Sequence, residues 1–381
     1  MSNSRLHFID VTRSLAILLM LQGHFISATF VDYSEKAATL RTTGASDNFW
    51  FDLWCQFRGF TPPLFFTITG LVFAYLLTRN ANGTFWQQKR VRKGLNRGLS
   101  IIFWGYALQL SISYYDGYYS KGIMNPRFYS FHVLQCIGLG LITLLLLYWI
   151  FTLIKKIPFE AILIVAGVAV FVISPFINSG DAEYFPLHGP AIIQNAFHGT
   201  NSIFPIFPWF GFIFLGGAIG VLIHKYQHKL GQKGFTLRIT VIGLAACLSA
   251  YALIAIVGKQ FPSNTYLGRG YWQFSQLAVV ILIMGLMMHI QQKWKLKIPF
   301  LIAIGQNTLV VYVLHVIVLY GAIIGIGLKT FIGSSLTFGQ ALFGAILFIF
   351  LFGFITKYQP AIIRGFKRLL PWSKKEMNEV A

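Results

Sequence analysis

The sequence predicts an all-α, polytopic membrane protein, and three observations carry that prediction. Of its 381 residues 56% are hydrophobic and 11% charged, with a mean hydropathy of +0.64, whereas soluble domains carry about a quarter charged residues. The apolar residues gather into about ten stretches, each long enough at ~1.5 Å per residue to cross a ~30 Å hydrocarbon layer. Lys and Arg collect in alternate connections between these stretches, the pattern of a multi-pass protein obeying the positive-inside rule.

In chain order the stretches are residues 9–30, 55–78, 97–115, 130–154, 158–177, 203–224, 236–257, 271–290, 299–326 and 337–357. With the N-terminus inside, Arg5, Arg13, Arg79, the run from Lys89 to Arg97, Lys155, Lys156, and the groups around Lys229, Lys295 and Lys367 share one side. Lys36, Arg41, Arg58, Lys121, Arg127, Lys259, Arg269 and Lys329 fall on or near the other. The bias places both termini in the cytoplasm and suits a bacterial cytoplasmic (inner) membrane. The formal charge of +20 would suggest nucleic acid in a soluble protein. Here it is a topology signal, and the lipid bilayer rather than nucleic acid is the expected partner.

The first stretch lacks a small-residue cleavage site and is expected to stay as an anchor. Residues 1–358 read as one transmembrane domain without internal repeats. Residues 359–381 read as a basic amphipathic tail, with Ile362, Ile363, Phe366, Leu369 and Leu370 interleaved by Arg364, Lys367 and Arg368, suited to lie on the inner leaflet. Cys55, Cys136 and Cys247 have neither disulfide nor zinc spacing and read as buried thiols. His224 and His228 have the i, i+4 spacing of metal ligands, but Lys225 and Lys229 interleave them, so no metal site is expected.

An ionisable group inside hydrocarbon is costly and therefore defaults to a functional hypothesis. In the first stretch Asp10, Arg13, Ile17 and His24 fall on one helical face, with His24 ~21 Å along the axis from Asp10 and past the bilayer midpoint. On a straight ninth helix His315 lies ~24 Å from Pro299, a matching depth, so the two imidazoles can face one cavity. In the second stretch Arg58 shares a face with Thr61 and Thr69 beside the pair Pro62-Pro63, which frees backbone groups where water is scarce. Arg58 either serves a site, snorkels outward or pairs with Asp52. The outer loops, such as Tyr114-Tyr115-Asp116-Gly117-Tyr118-Tyr119 and residues 178–201, suit sugar stacking or an interfacial aromatic belt.

The spacing Arg13, ten residues, His24 resembles the first-span signature of transmembrane acyltransferases, the superfamily of acyltransferase-3 proteins and heparan-alpha-glucosaminide N-acetyltransferases. Phe65-Phe66-Thr67-Ile68-Thr69-Gly70 resembles the family's Phe-Phe-x-x-Ser-Gly, and the run Trp86 to Lys93 its basic loop before the third span. Gln135-Cys136-Ile137-Gly138, Phe207-Pro208-Trp209-Phe210-Gly211 with Gly216-Gly217, and Gly305-Gln306-Asn307 through Tyr312 to His315 lean toward the heparan branch. Ser14 and Thr69 depart from the family's usual Gly and Ser. Asp47-Asn48-Phe49-Trp50 stands where the animal heparan enzymes carry a histidine.

The resemblance implies transfer of an acyl group, acetyl in the expected case, from cytoplasmic acyl-CoA to a hydroxyl or amine of an extracytoplasmic sugar or glycan. Asp10, Arg13, Lys89, Arg90, Arg92, Lys93 and Arg97 are then the expected donor-binding residues. Cations suit the phosphates of CoA, and acyl-CoA enters as a substrate with no metal required. His24, Arg58 and His315 are the expected catalytic residues: an imidazole titrating near neutrality suits a general base, and a cation steadies charge on the thioester oxygen. A transporter or flippase for a small polar or lipid-linked solute would use a similar cavity, though such proteins usually show paired broken helices in two related halves.

Overall fold

A computed structural model describes residues 7–79, 83–110, 126–177, 190–197, 202–230, 232–260, 272–294 and 298–369. The described regular structure is helical apart from isolated bridge positions, among them a parallel bridge between Phe30 and Leu336. The helices are α1 His7–Thr29, α2 Tyr33–Thr43, α3 Phe49–Gly59, α4 Thr61–Arg79, α5 Lys89–Ala107, α6 Val133–Ile154, α7 Phe159–Ile177 and α8 Ala191–Phe197. They continue as α9 Ile206–Lys225, α10 Lys233–Gln260, α11 Trp272–Trp294, α12 Pro299–Gln306, α13 Thr308–Tyr320, α14 Leu328–Ile332 and α15 Phe338–Leu369.

Every apolar stretch read from the sequence contains a helix, and the multi-pass architecture holds, with fewer than ten spans counted among the described residues. Among the described residues seven helices are long and apolar enough to cross a membrane, or up to eight when the bent pair α12–α13 counts as one. α5 falls short because of its charge: it opens on Lys89, Arg90, Arg92, Lys93 and Arg97, so the basic loop expected before residue 97 is the first two turns of the helix itself. α7, Phe159–Ile177, covers nearly the whole of the fifth stretch.

The ninth stretch is not straight. α12 and α13 meet at 83° around Asn307, whose amide donates to the Ala303 carbonyl at 2.9 Å. α13 then stops at Tyr320 rather than 326, because Gly321 takes a left-handed conformation with φ 71°. A Cβ at Gly321 would stand 2.5 Å from the Ile326 carbonyl carbon, so this stop requires glycine.

α1 occupies the middle of the bundle, packed against α15, α12, α4, α13 and α11. Its apolar window is 61% buried within the protein, against 12% for the window in α10, which leans outward on α11. The polar face of α1 is therefore an internal one. The closest helix contact is α4 on α9: a Cβ at Gly70 would lie 1.9 Å from the Ile213 carbonyl oxygen, and one at Gly216 would lie 2.0 Å from that of Thr67. Gly216 and Gly220 form a small-xxx-small seam that lets the two backbones touch, the usual basis of helix association in lipid.

Several expectations fall elsewhere. Tyr114–Tyr119 and residues 178–189 lie outside the described residues, as do the side chains of the tail from Pro360 onward. α15 itself passes residue 358 without a break. Cys136 is buried, Cys55 is only half-buried, and the Cys247 side chain lies outside the described residues.

Candidate functional site

Two clusters lie along α1 and α13. The first is a cavity of about 380 Å³ lined by Arg13 and Ala16 of α1, Phe65, Ile68, Thr69, Val72 and Phe73 of α4, Arg90, Lys93, Gly94 and Arg97 of α5, and Thr308 of α13. Arg90, Lys93 and Arg97 stand at i, i+3 and i+7, so α5 turns all three cations to one side. Gly94 opens space between them, where a Cβ would meet the Phe73 ring at 2.7 Å. The other two basic residues of this run do not line the cavity: Lys89 is exposed, and Arg92 donates from Nε to the Trp86 carbonyl at 2.9 Å.

Arg13 closes the cavity from α1. Its Nη2 donates to Thr308 Oγ1 at 3.3 Å, and its Nη1 lies 3.9 Å from Asp10 Oδ1. Asp10 does not line the cavity; it is buried beneath Arg13 and orients it. Gly305 lets α12 approach this point, since a Cβ there would meet the Asp10 carbonyl oxygen at 2.5 Å. Ser14 ties the two helices by donating to the Leu301 carbonyl. Serine, where the family commonly has glycine, therefore supplies a tether.

The second cluster lies deeper. The ring of His24 on α1 and that of His315 on α13 have centroids 5.0 Å apart, tilted by 47°. The expectation that they share one depth came from a straight ninth helix. The 83° bend overturns that measurement, yet the imidazoles still meet because α13 runs against α1. His315 is fully buried. Its Nδ1 lies 3.3 Å from the Val311 carbonyl, which can only accept, so Nδ1 carries the proton and Nε2 a lone pair. That Nε2 has no hydrogen-bond partner among the described residues. His24 is partly exposed, with its Nδ1 3.0 Å from the Tyr320 hydroxyl.

Arg58 approaches the same cluster from α3. A Cβ at Gly23 would lie 3.2 Å from its Nε, so glycine before His24 admits the guanidinium beside α1. Arg58 donates to the Tyr33 hydroxyl, and its Cζ stands 5.3 Å from the ring centroids of both Tyr33 and Trp54. Stacked cations of this kind are stabilised by the ring quadrupole. Asp52 is occupied elsewhere, accepting from the Ser46 amide and hydroxyl at 2.7 and 2.6 Å, so the Arg58–Asp52 pairing does not form.

Sequence reading missed Tyr320, Tyr33, Trp54 and Gln22, whose Oε1 accepts from Trp54 Nε1 at 2.5 Å. No spacing signals them, because each contact joins helices far apart in the chain. Among the described residues no three His, Cys, Asp or Glu side chains converge as a metal site. α9 ends at Lys225, so His224 and His228 do not share a helix.

A family model described as heparan-alpha-glucosaminide N-acetyltransferase, catalytic, matches residues 5–255. The chain belongs to that family. It is an acyltransferase of the acyl-CoA-dependent, acetyltransferase-like kind, and the fold adds that it is a polytopic membrane protein. The match takes in Arg13, His24, Arg58 and the cations of α5 but ends before α11. Thr308, His315 and Tyr320, which complete both clusters, come from the chain beyond it. No curated protein matches the chain.

Proposed function

We propose that this protein carries an acyl group, acetyl in the first instance, from cytoplasmic acyl-CoA to a hydroxyl or amine of a sugar or glycan on the far side of a bacterial inner membrane. The observation that supports it best is the pairing of a four-cation cavity, lined by Arg13, Arg90, Lys93 and Arg97, with two touching imidazoles further along the same helices. Thr308 to His315 is seven residues of α13 and Arg13 to His24 eleven of α1, or ~10 and ~16 Å. An extended pantetheine arm covers that range.

In this reading the phosphates of CoA sit among the four cations, where charge-assisted hydrogen bonds are strongest. The arm passes Tyr312, one turn from both Thr308 and His315, and delivers the thioester beside His24. The acceptor's oxygen or nitrogen attacks the thioester carbonyl while His24 Nε2 removes its proton. Arg58 stabilises the resulting oxyanion. As the C–S bond breaks, the imidazolium returns the proton to sulfur, leaving acylated acceptor and free CoA. His315 is buried beyond direct contact with the acceptor and buffers the charge on its neighbour. The Lys89 and Arg92 side chains and the residues after 358 serve topology and anionic lipid contact instead.

The test is purified protein with acyl-CoAs labelled in the acyl group, followed for thiol release and for label on candidate sugars. Release that depends on a sugar or amino-sugar supports the reading. A protein that binds acyl-CoA but moves label to no hydroxyl or amine contradicts it.

A further inference from the structure

Which nitrogen of His24 carries the proton decides whether it can act as a base. Its Nδ1 faces the Tyr320 hydroxyl at 3.0 Å, and that hydroxyl also reaches the His24 carbonyl. Ser27 donates to the same carbonyl at 3.0 Å, and Tyr320 donates to it at 3.4 Å. A carbonyl can only accept, so the Tyr320 hydrogen in that bond points at the carbonyl and away from the imidazole. The Tyr320 oxygen is then left to accept from His24.

We infer that Tyr320 is a positioning residue that fixes the His24 proton on Nδ1 and leaves the Nε2 lone pair facing the substrate. The fold prepares it for this. Tyr320 is the last residue of α13, held by the left-handed Gly321, with its ring edge-on to the imidazole at 5.8 Å and 87°. The groups facing His24 from other helices are Arg58, His315 and Tyr320. Arg58 can only donate, and the His315 Nε2 lone pair makes no hydrogen bond to His24, so of these groups Tyr320 is the one that meets Nδ1, at 3.0 Å.

The tautomer follows from hydrogen bonding alone; its effect on turnover rests on the acyl-transfer reading above. The experiment uses the full chain in nanodiscs with ¹⁵N-labelled histidine, assigning His24 by the signals lost in His24→Gln. Wild type should show a protonated Nδ1 and a bare Nε2, and Tyr320→Phe should mix the two tautomers. Turnover of Tyr320→Phe should fall about tenfold, the rate equivalent of one lost hydrogen bond, with KM for acyl-CoA unchanged because the cationic cavity is distant. Ser27→Ala leaves the Tyr320 bond to the His24 carbonyl in place and should leave the tautomer unchanged.

An Nε2-protonated His24 in wild type, or a tautomer unmoved by Tyr320→Phe, overturns the inference. A tautomer that moves while turnover does not upholds Tyr320's role and removes His24 as the base. If the phenylalanine variant fails to bind acyl-CoA, the wild-type spectrum still decides the matter.

Discussion

Neutralising the basic residues of α5 one at a time separates a binding site from a topology signal within a single helix. Arg90, Lys93 and Arg97 line the cavity and fall within about 60° of arc on the helix, while Arg92 points well away from that arc to the Trp86 carbonyl. A hydrogen bond to a charged group contributes about 1.5–3 kcal/mol. Lys93 and Arg97 reach solvent, so the lower end applies, and each alanine substitution among the three should weaken acyl-CoA binding about tenfold. Lys89→Ala and Arg92→Ala should leave affinity nearly unchanged. Calorimetry on detergent-solubilised protein at low and high salt measures this directly. Screening shortens from ~10 Å at 0.1 M to ~3 Å at 1 M ionic strength, so the cavity variants should also lose part of the wild-type salt dependence. Equal losses at all five positions would mean that a diffuse positive field, rather than the cavity, attracts the donor.

Three further outcomes follow from the same geometry. His24→Ala should lose roughly 10² to 10⁴ in turnover, the usual contribution of a positioned general base, while labelled acyl-CoA still binds at the cationic cavity; near-wild-type turnover would show that His24 is not the base. Gly216→Ala should destabilise the protein by about 1–3 kcal/mol through overpacking, because its Cβ would meet the Thr67 carbonyl oxygen at 2.0 Å; an unchanged melting temperature in nanodiscs would show that α4 and α9 can separate freely. In a background without native cysteines, Thr84→Cys should be shielded from impermeant thiol reagents in intact cells and Ala45→Cys labelled; the reverse pattern would invert the proposed orientation.

Hydrophobic runs made the helices legible, and intramembrane charge made half of the site legible. Asp10, Arg13 and His24 lie on one periodic face, so their shared stripe follows from helical geometry. The meeting of His24 with His315 was expected on depth, although the straight helix behind that expectation bends by 83°. The bend itself was hidden: Gln306-Asn307-Thr308 contains neither proline nor glycine, and only the Asn307 amide bond to Ala303 marks it. The basic run was read as a loop from its resemblance to the family's basic loop, whereas it forms the first turns of α5, where i, i+3, i+7 spacing turns three cations into a cavity. Arg92 shares the run with Arg90, yet its side chain turns to the Trp86 carbonyl instead of lining the cavity, a difference in direction that the spacing alone does not explain. Tyr320, Tyr33 and Trp54 were illegible because aromatic residues are common at membrane interfaces, and only tertiary register brings these to His24 and Arg58.

The decisive measurement uses proteoliposomes with the protein in one orientation, labelled acyl-CoA confined to the Arg90 side and an amino-sugar or sugar acceptor confined to the other. If chemistry joins the two sides along α1 and α13, labelled acceptor forms opposite the donor and free CoA stays on the donor side, both slowed roughly 10² to 10⁴-fold by His24→Ala. Label that appears only when donor and acceptor share a compartment, or that crosses equally well with His24→Ala, would contradict that reading.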